Sequence, residues 1–168
     1  LGPVAGKRSR GELPLMALEH ASAEAAAAAL GQLNAGDWRG FNMVLADGRG
    51  AIFMRGAGQG APVAVRLDRG VHMITAHEPN DPDSPRVARH LHRFRGTPAP
   101  AASDWAGWDA LLADRSGDAG EQINIVPRGD YGTVCSSLVE LVPDRPPVWL
   151  FAAGAPPLVA FETVRLAG

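Results

Sequence analysis

FNMVLADGRGAIFMRG, residues 41–56, places an apolar run on either side of Asp47-Gly48. An Asp-Gly pair between two apolar runs is a strong signal for a tight β-hairpin, because glycine adopts at little cost the positive φ that hairpin turns require. The stretch therefore predicts two antiparallel strands. Downstream, VAVRL (63–67) and VHMITAH (71–77) predict two more, separated by the turn Asp68-Arg69-Gly70. Upstream, Ser9 followed three residues later by Glu12 forms a capping box and predicts a helix start. Leu15, Met16 and Leu18 supply its apolar side, and Pro14 limits or kinks its first turn. Ser22 caps a second helix, AEAAAAALGQL (23–33), in which alanine supplies the propensity and permits close packing.

Beyond the strands, HEPNDPDSP (77–85) is a run of turn formers. Ser84 then caps a helix with Pro85 at its first position, and Val87, Leu91 and Phe94 share one face. Arg86, Arg89, His90, Arg93 and Arg95 lie elsewhere on this helix and predict a solvated face. A further helix is expected from Ser103 or Asp104 through Trp105, Trp108 and Leu111–Leu112. Val134–Leu141, Val148–Ala152 and Leu158–Leu166 read as three more strands. Two helices, strands, two helices and strands again predict a layered α/β protein with mostly antiparallel sheets.

The chain has 168 residues, 46% hydrophobic and 20% charged, which suits one globular domain over 1–168. A net charge of -2 gives no push toward nucleic acid or an anionic membrane, and no apolar run is long enough for a membrane span. The lone Cys135 excludes an internal disulfide, and a reducing, cytoplasmic setting fits best.

Candidate chemistry is sparse at this level. Alternation along a strand puts Thr133, Cys135, Ser137, Val139 and Leu141 on one face, running from polar to core. Cys135 then reads as a buried strand residue and not a nucleophile, since no histidine is close in sequence. His90 and His92 are two apart on a helix, and His72 and His77 five apart in a strand, so neither pair has metal-ligand spacing. GAGQG (56–60) lacks the strand–loop–helix setting of a phosphate loop, and GxSxG is absent.

Five stretches together resemble the NRDE family, which includes the transport and Golgi organisation proteins of animals. They are GKRSRGEL (6–13), DWRGFNMVLADG (37–48), LDRGVHMITAHEPND (67–81), SPRVARHLHRF (84–94) and DYGTVCSSLVEL (130–141). The resemblance implies an αββα four-layer sandwich of two mostly antiparallel sheets, like the N-terminal nucleophile hydrolases, incomplete at its N-terminus in this chain. It implies a C–N amide hydrolase whose cysteine nucleophile stands upstream of Leu1. In that chemistry the α-amino group, with a pKa of about 8, serves as the base. The residues then expected to line the cleft are Arg10, Asn42, Thr75, His77, Tyr131, Thr133 and Ser136. The chain departs from the family's pattern in two places. Thr75-Ala76-His77 stands where Ser-Asn is common, and Val134 stands where Tyr-Gly-Thr is usually followed by Arg. Those departures raise the alternative of a non-catalytic carrier for haem or an acyl or lipid metabolite, with His72 or His77 as an axial ligand to haem.

Overall fold

A computed structural model describes residues 5–100, 104–105 and 107–166. Its elements, in chain order, are α1 (Glu12–Leu18), α2 (Ala23–Leu30), β1 (Phe41–Asp47), β2 (Gly50–Gly56), β3 (Val63–Arg66), α3 (Pro85–Gly96), α4 (Trp108–Leu112), β4 (Ser136–Glu140), β5 (Val148–Ala152) and β6 (Glu162–Thr163). A single 3₁₀ turn covers Ala35–Asp37. The fold is mixed α/β, with two three-stranded antiparallel sheets, β1-β2-β3 and β4-β5-β6. No helix among the described residues is long and apolar enough to cross a membrane. The chain gathers into two compact units. One comprises residues 5–69, Ile74–Pro79 and Val142–Asp144, and the other the described residues of 70–73, 80–141 and 145–166.

In the first unit the predicted hairpin forms, with Asp47 opposite Gly50 and the register running out to Phe41 opposite Gly56. The Asp47 carboxylate accepts the Arg49 amide at 2.8 Å, which closes the turn. One sheet face presents Phe41, Leu45, Ile52 and Met54 to a core that also contains Leu13, Leu30 and Trp38. Ala23, Ala26, Ala27 and Leu30 are the buried stripe of α2, at helical spacing, so small side chains bring that helix close to the sheet. Ser22 caps α2 as expected, accepting the Ala25 amide at 3.1 Å. The α1 box forms in modified form: Glu12 Oε1 accepts the Ser9 amide, Ser9 Oγ accepts the Gly11 amide, and regular helix begins only at Glu12.

In the second unit α3 buries Val87, His90, Leu91 and Phe94. Phe94 meets the Trp108 ring edge-on at 5.1 Å. Arg95 is exposed as expected, but the other three arginines of α3 are only partly so and are engaged with the 114–122 loop. Arg86 donates to the carbonyls of Gln122 and Ala119, Arg89 to Ser116 Oγ at 3.0 Å, and Arg93 to the Asp114 carboxylate. They staple the 114–122 loop to the helix. Neutral His90 joins the same network. Its Nε2 lies 2.8 Å from the Glu121 carbonyl and its Nδ1 3.0 Å from the Arg93 guanidinium, so Nε2–H donates and Nδ1 accepts.

Other expectations need correction. Residues 71–77 form no strand, because side chains occupy the hydrogen-bonding groups that a ladder would use. Asn80 Oδ1 accepts the Met73 amide, and Asn42 Nδ2 donates to the carbonyls of Thr75 and His77. The strand expected from Val134 starts at Ser136, because Thr133 is drawn into a loop by pairing with Ile125 through its amide and its hydroxyl. Cys135 therefore precedes the strand and is exposed, not buried. The buried face of β4 is the opposite one, carrying Leu138, while Val139 is 50% exposed. Of Leu158–Leu166 only Glu162–Thr163 pairs as strand, and the helix expected near Ser103 or Asp104 begins at Trp108. Ser103 itself lies outside the described residues.

Ala26 is 3% exposed against the sheet, while Ala25 faces solvent. Ala26→Leu is expected to destabilise by about 1–3 kcal/mol through overpacking. Ala25→Leu should leave the urea midpoint within roughly 0.5 kcal/mol of wild type. His90 supplies a pH prediction. Burial lowers its pKa from 6.5, against the raising effects of the Glu121 carbonyl and Asp114. The unfolded chain thus binds a proton that the fold resists. The stability this contributes is complete above pH about 6.5 and is lost as pH falls below it. Asp47 and Asp114, both lowered from 3.8, lose their contributions only at more acidic pH. Urea titrations between pH 7.5 and 5 should show a downward slope that His90→Gln flattens.

Candidate functional site

The N-terminal segment is fixed on the first unit before α1 begins. The Arg8 amide donates to the Asp37 carbonyl at 2.8 Å. The Arg8 guanidinium lies 4.6 Å from the centre of the buried Trp38 ring and pairs with Glu12 through Nε at 2.8 Å. Lys7 donates to the Gly36 carbonyl. Two residues later the chain turns into α1, and Arg10 Nη1 reaches the Gly40 carbonyl at 3.3 Å.

Asn42 stands at the start of β1. Its Nδ2 donates to the carbonyls of Thr75 and His77, each at 2.8 Å, and this holds the 74–79 segment beside the hairpin. Thr75 Oγ1 accepts the His77 amide at 3.3 Å, which tightens that segment into a turn. The hairpin register sets Arg55 opposite Asn42, and Arg55 forms an ion pair with Glu78. A cavity of about 450 Å³ results, lined by Arg10, Asn42, Arg55, Thr75 and the backbone around Gly40 and Gly56. Glycine is required at 56, since a Cβ there would lie 2.2 Å from the Phe41 ring opposite.

The expected cleft residues are thus divided. Arg10, Asn42 and Thr75 line one cavity, and His77 contributes its carbonyl to the Asn42 bond. Tyr131, Thr133 and Ser136 belong to the second unit and make local structure there. Tyr131 exchanges backbone hydrogen bonds with Arg128, Thr133 pairs with Ile125, and Ser136 opens β4 opposite Ala152. His72 Nδ1 lies 2.9 Å from Asn80 Nδ2. Arg55 was not expected at a site. Its signal was available by counting outward from the Asp47-Gly48 turn, which pairs it with Asn42. No group of three or more metal-ligating side chains occurs among the described residues.

Asn42→Ala removes both donors to the 74–79 segment, and a destabilisation of about 1–3 kcal/mol is expected. Hydrogen exchange at the His77 amide should accelerate with it, while the Ala25 amide on α2 keeps its protection.

Comparison of the chain with protein-family models, curated proteins and solved structures gave no match.

Proposed function

We propose that the chain is an NRDE-type domain built as the four-layer sandwich of the N-terminal nucleophile class, working in a reducing, cytoplasmic setting. In this reading the Arg10–Asn42–Arg55–Thr75 cavity receives a small organic substrate whose C–N amide bond is hydrolysed. One observation supports it above the others. Segments 6–13, 37–48 and 67–81, which carry the resemblance, are far apart in sequence and contribute Arg10, Asn42 and Thr75 to a single cavity. The nucleophile is the N-terminal cysteine that the resemblance implies, with its own α-amino group as base. Its thiolate attacks the amide carbon, the departing amine takes up the proton, and water then hydrolyses the thioester. The role of this chain's residues is to bind and orient. Asn42 fixes the 74–79 wall, and Arg10 supplies the positive charge at the cavity while Arg55 is paired with Glu78.

A second reading, an acyl-group carrier, is favoured by a separate groove of about 350 Å³ on the same unit, lined largely by apolar residues including Pro14, Leu18, Met43 and Leu45. A carrier binds without turnover, so catalysis separates the two. The native full-length protein is expected to release nitroaniline from an acyl 4-nitroanilide. Iodoacetamide modification of its N-terminal cysteine should abolish this, Cys135→Ala should leave it intact, and Asn42→Ala should lower kcat/KM by about a hundredfold through misplacement of the substrate. Turnover that survives alkylation, or that vanishes in Cys135→Ala, would sink the hydrolase reading.

A further inference from the structure

The charges around the cavity are unequal. Arg55 is neutralised by its ion pair with Glu78. Arg10 is not. Among the described residues it has no carboxylate partner, and its one hydrogen bond goes to a backbone carbonyl at a long 3.3 Å. A guanidinium carries five N–H donors, so most of those of Arg10 remain for a ligand. Arg10 is also exposed, on a turn anchored on both sides by the Arg8–Trp38 stack and the start of α1. The charge is therefore both accessible and held in place.

The neutral groups complete the picture. Asn42 has spent both amide protons on carbonyls. Thr75 accepts the His77 amide and keeps its own hydroxyl proton to donate. The cavity thus offers one uncompensated positive charge with forked donors, and one hydroxyl donor beside it. That set matches a planar monoanion. A phosphate dianion would leave a net negative charge here, because Glu78 already consumes Arg55.

We propose that this cavity recognises the carboxylate of its ligand through Arg10, so that the preferred ligand class is an N-acylamino acid. The carboxylate seats on the Arg10 fork, which planar guanidinium geometry favours over a lysine ammonium. The inference rests on the proposed role of the cavity as the substrate site, and it adds the chemical class.

The test uses the full chain and two probes, N-acetyl-L-alanine and its uncharged methyl ester, followed by NMR shifts of the Asn42 and Arg55 side-chain N–H groups. The acid should bind more tightly than the ester. Arg10→Ala should weaken the acid by about ten- to a hundredfold while leaving the ester unchanged. Arg10→Lys should recover only part of the loss. Equal binding of acid and ester overturns the carboxylate assignment while leaving the cavity as a binding site. Inorganic phosphate bound more tightly than the acid overturns it as well. If neither probe shifts these signals, the carboxylate assignment and the cavity reading both fall.

Discussion

The Asp47 carboxylate holds two separate stretches of backbone, and the first unit depends on it. One oxygen accepts the Arg49 amide and closes the hairpin turn. The other accepts the amide of Ala23, the first residue of α2, at 3.0 Å. The bond to Ala23 is the largest influence lowering the Asp47 pKa, followed by that to Arg49. A charged acceptor at a helix N-terminus is favourable in itself. Here it also joins the turn to the helix that lies on the sheet. The turn fixes the register, and the register decides everything along β1 and β2. A slip of one residue would turn Phe41, Leu45, Ile52 and Met54 out of the core. It would also end the opposition of Asn42 and Arg55 on which the cavity is built.

This dependence explains which parts of the molecule were legible in the sequence. The hairpin, α2 and α3 were readable because local rules and tertiary packing agree there, whereas α1 turns Leu13 into the core and leaves Leu15 and Leu18, expected on its apolar side, exposed. Ser22 makes the cap its chemistry favours, and Pro85 stands at the first position of α3, although Ser84 before it makes no side-chain cap bond. The hairpin turn forms where Asp47-Gly48 predicts it, closed by the Asp47 carboxylate and not by a positive φ at Gly48. The 71–77 stretch misled because its apolar residues resemble a strand's, while the partners that claim its backbone, Asn42 and Asn80, are side chains distant in sequence or lying beyond its end. Hydrophobic pattern reports which face would be buried. It does not report whether a ladder partner exists.

The region around Cys135 failed for a related reason. The alternation was read from Thr133 onward, but Thr133 is bonded to Ile125 and is not part of the strand. The two faces keep their membership from either start, but the one taken as core was the exposed one: Leu138 is buried and Val139 is not. The candidate site was legible in part. Arg10, Asn42 and Thr75 came from the resemblance, and no rule of spacing would have joined residues so far apart. Arg55 could have been found from the hairpin alone.

Arginine content by itself would have pointed to the wrong place. Helix α3 carries four arginines within 86–95, twice as many as line the cavity. Yet two of these charges are met by carboxylates within the fold. Arg93 meets Asp114, whose carboxyl is raised by burial but lowered further by bonds from Ser116 and Arg93, with a net shift well below its usual range. Arg89 lies 3.7 Å from Glu121 and bonds to Ser116. Removing one partner from such a network mainly leaves the other uncompensated, so its arginines report on loop attachment. At the cavity the count is lower and the balance is different. Arg10 faces only a carbonyl. A cation that the fold does not need for its own structure, fixed at the edge of a cavity, is free to serve a ligand. Compensation by a carboxylate separates Arg89 and Arg93 from Arg10, and the cavity beside it separates Arg10 from Arg86 and Arg95, which also bond only to carbonyls.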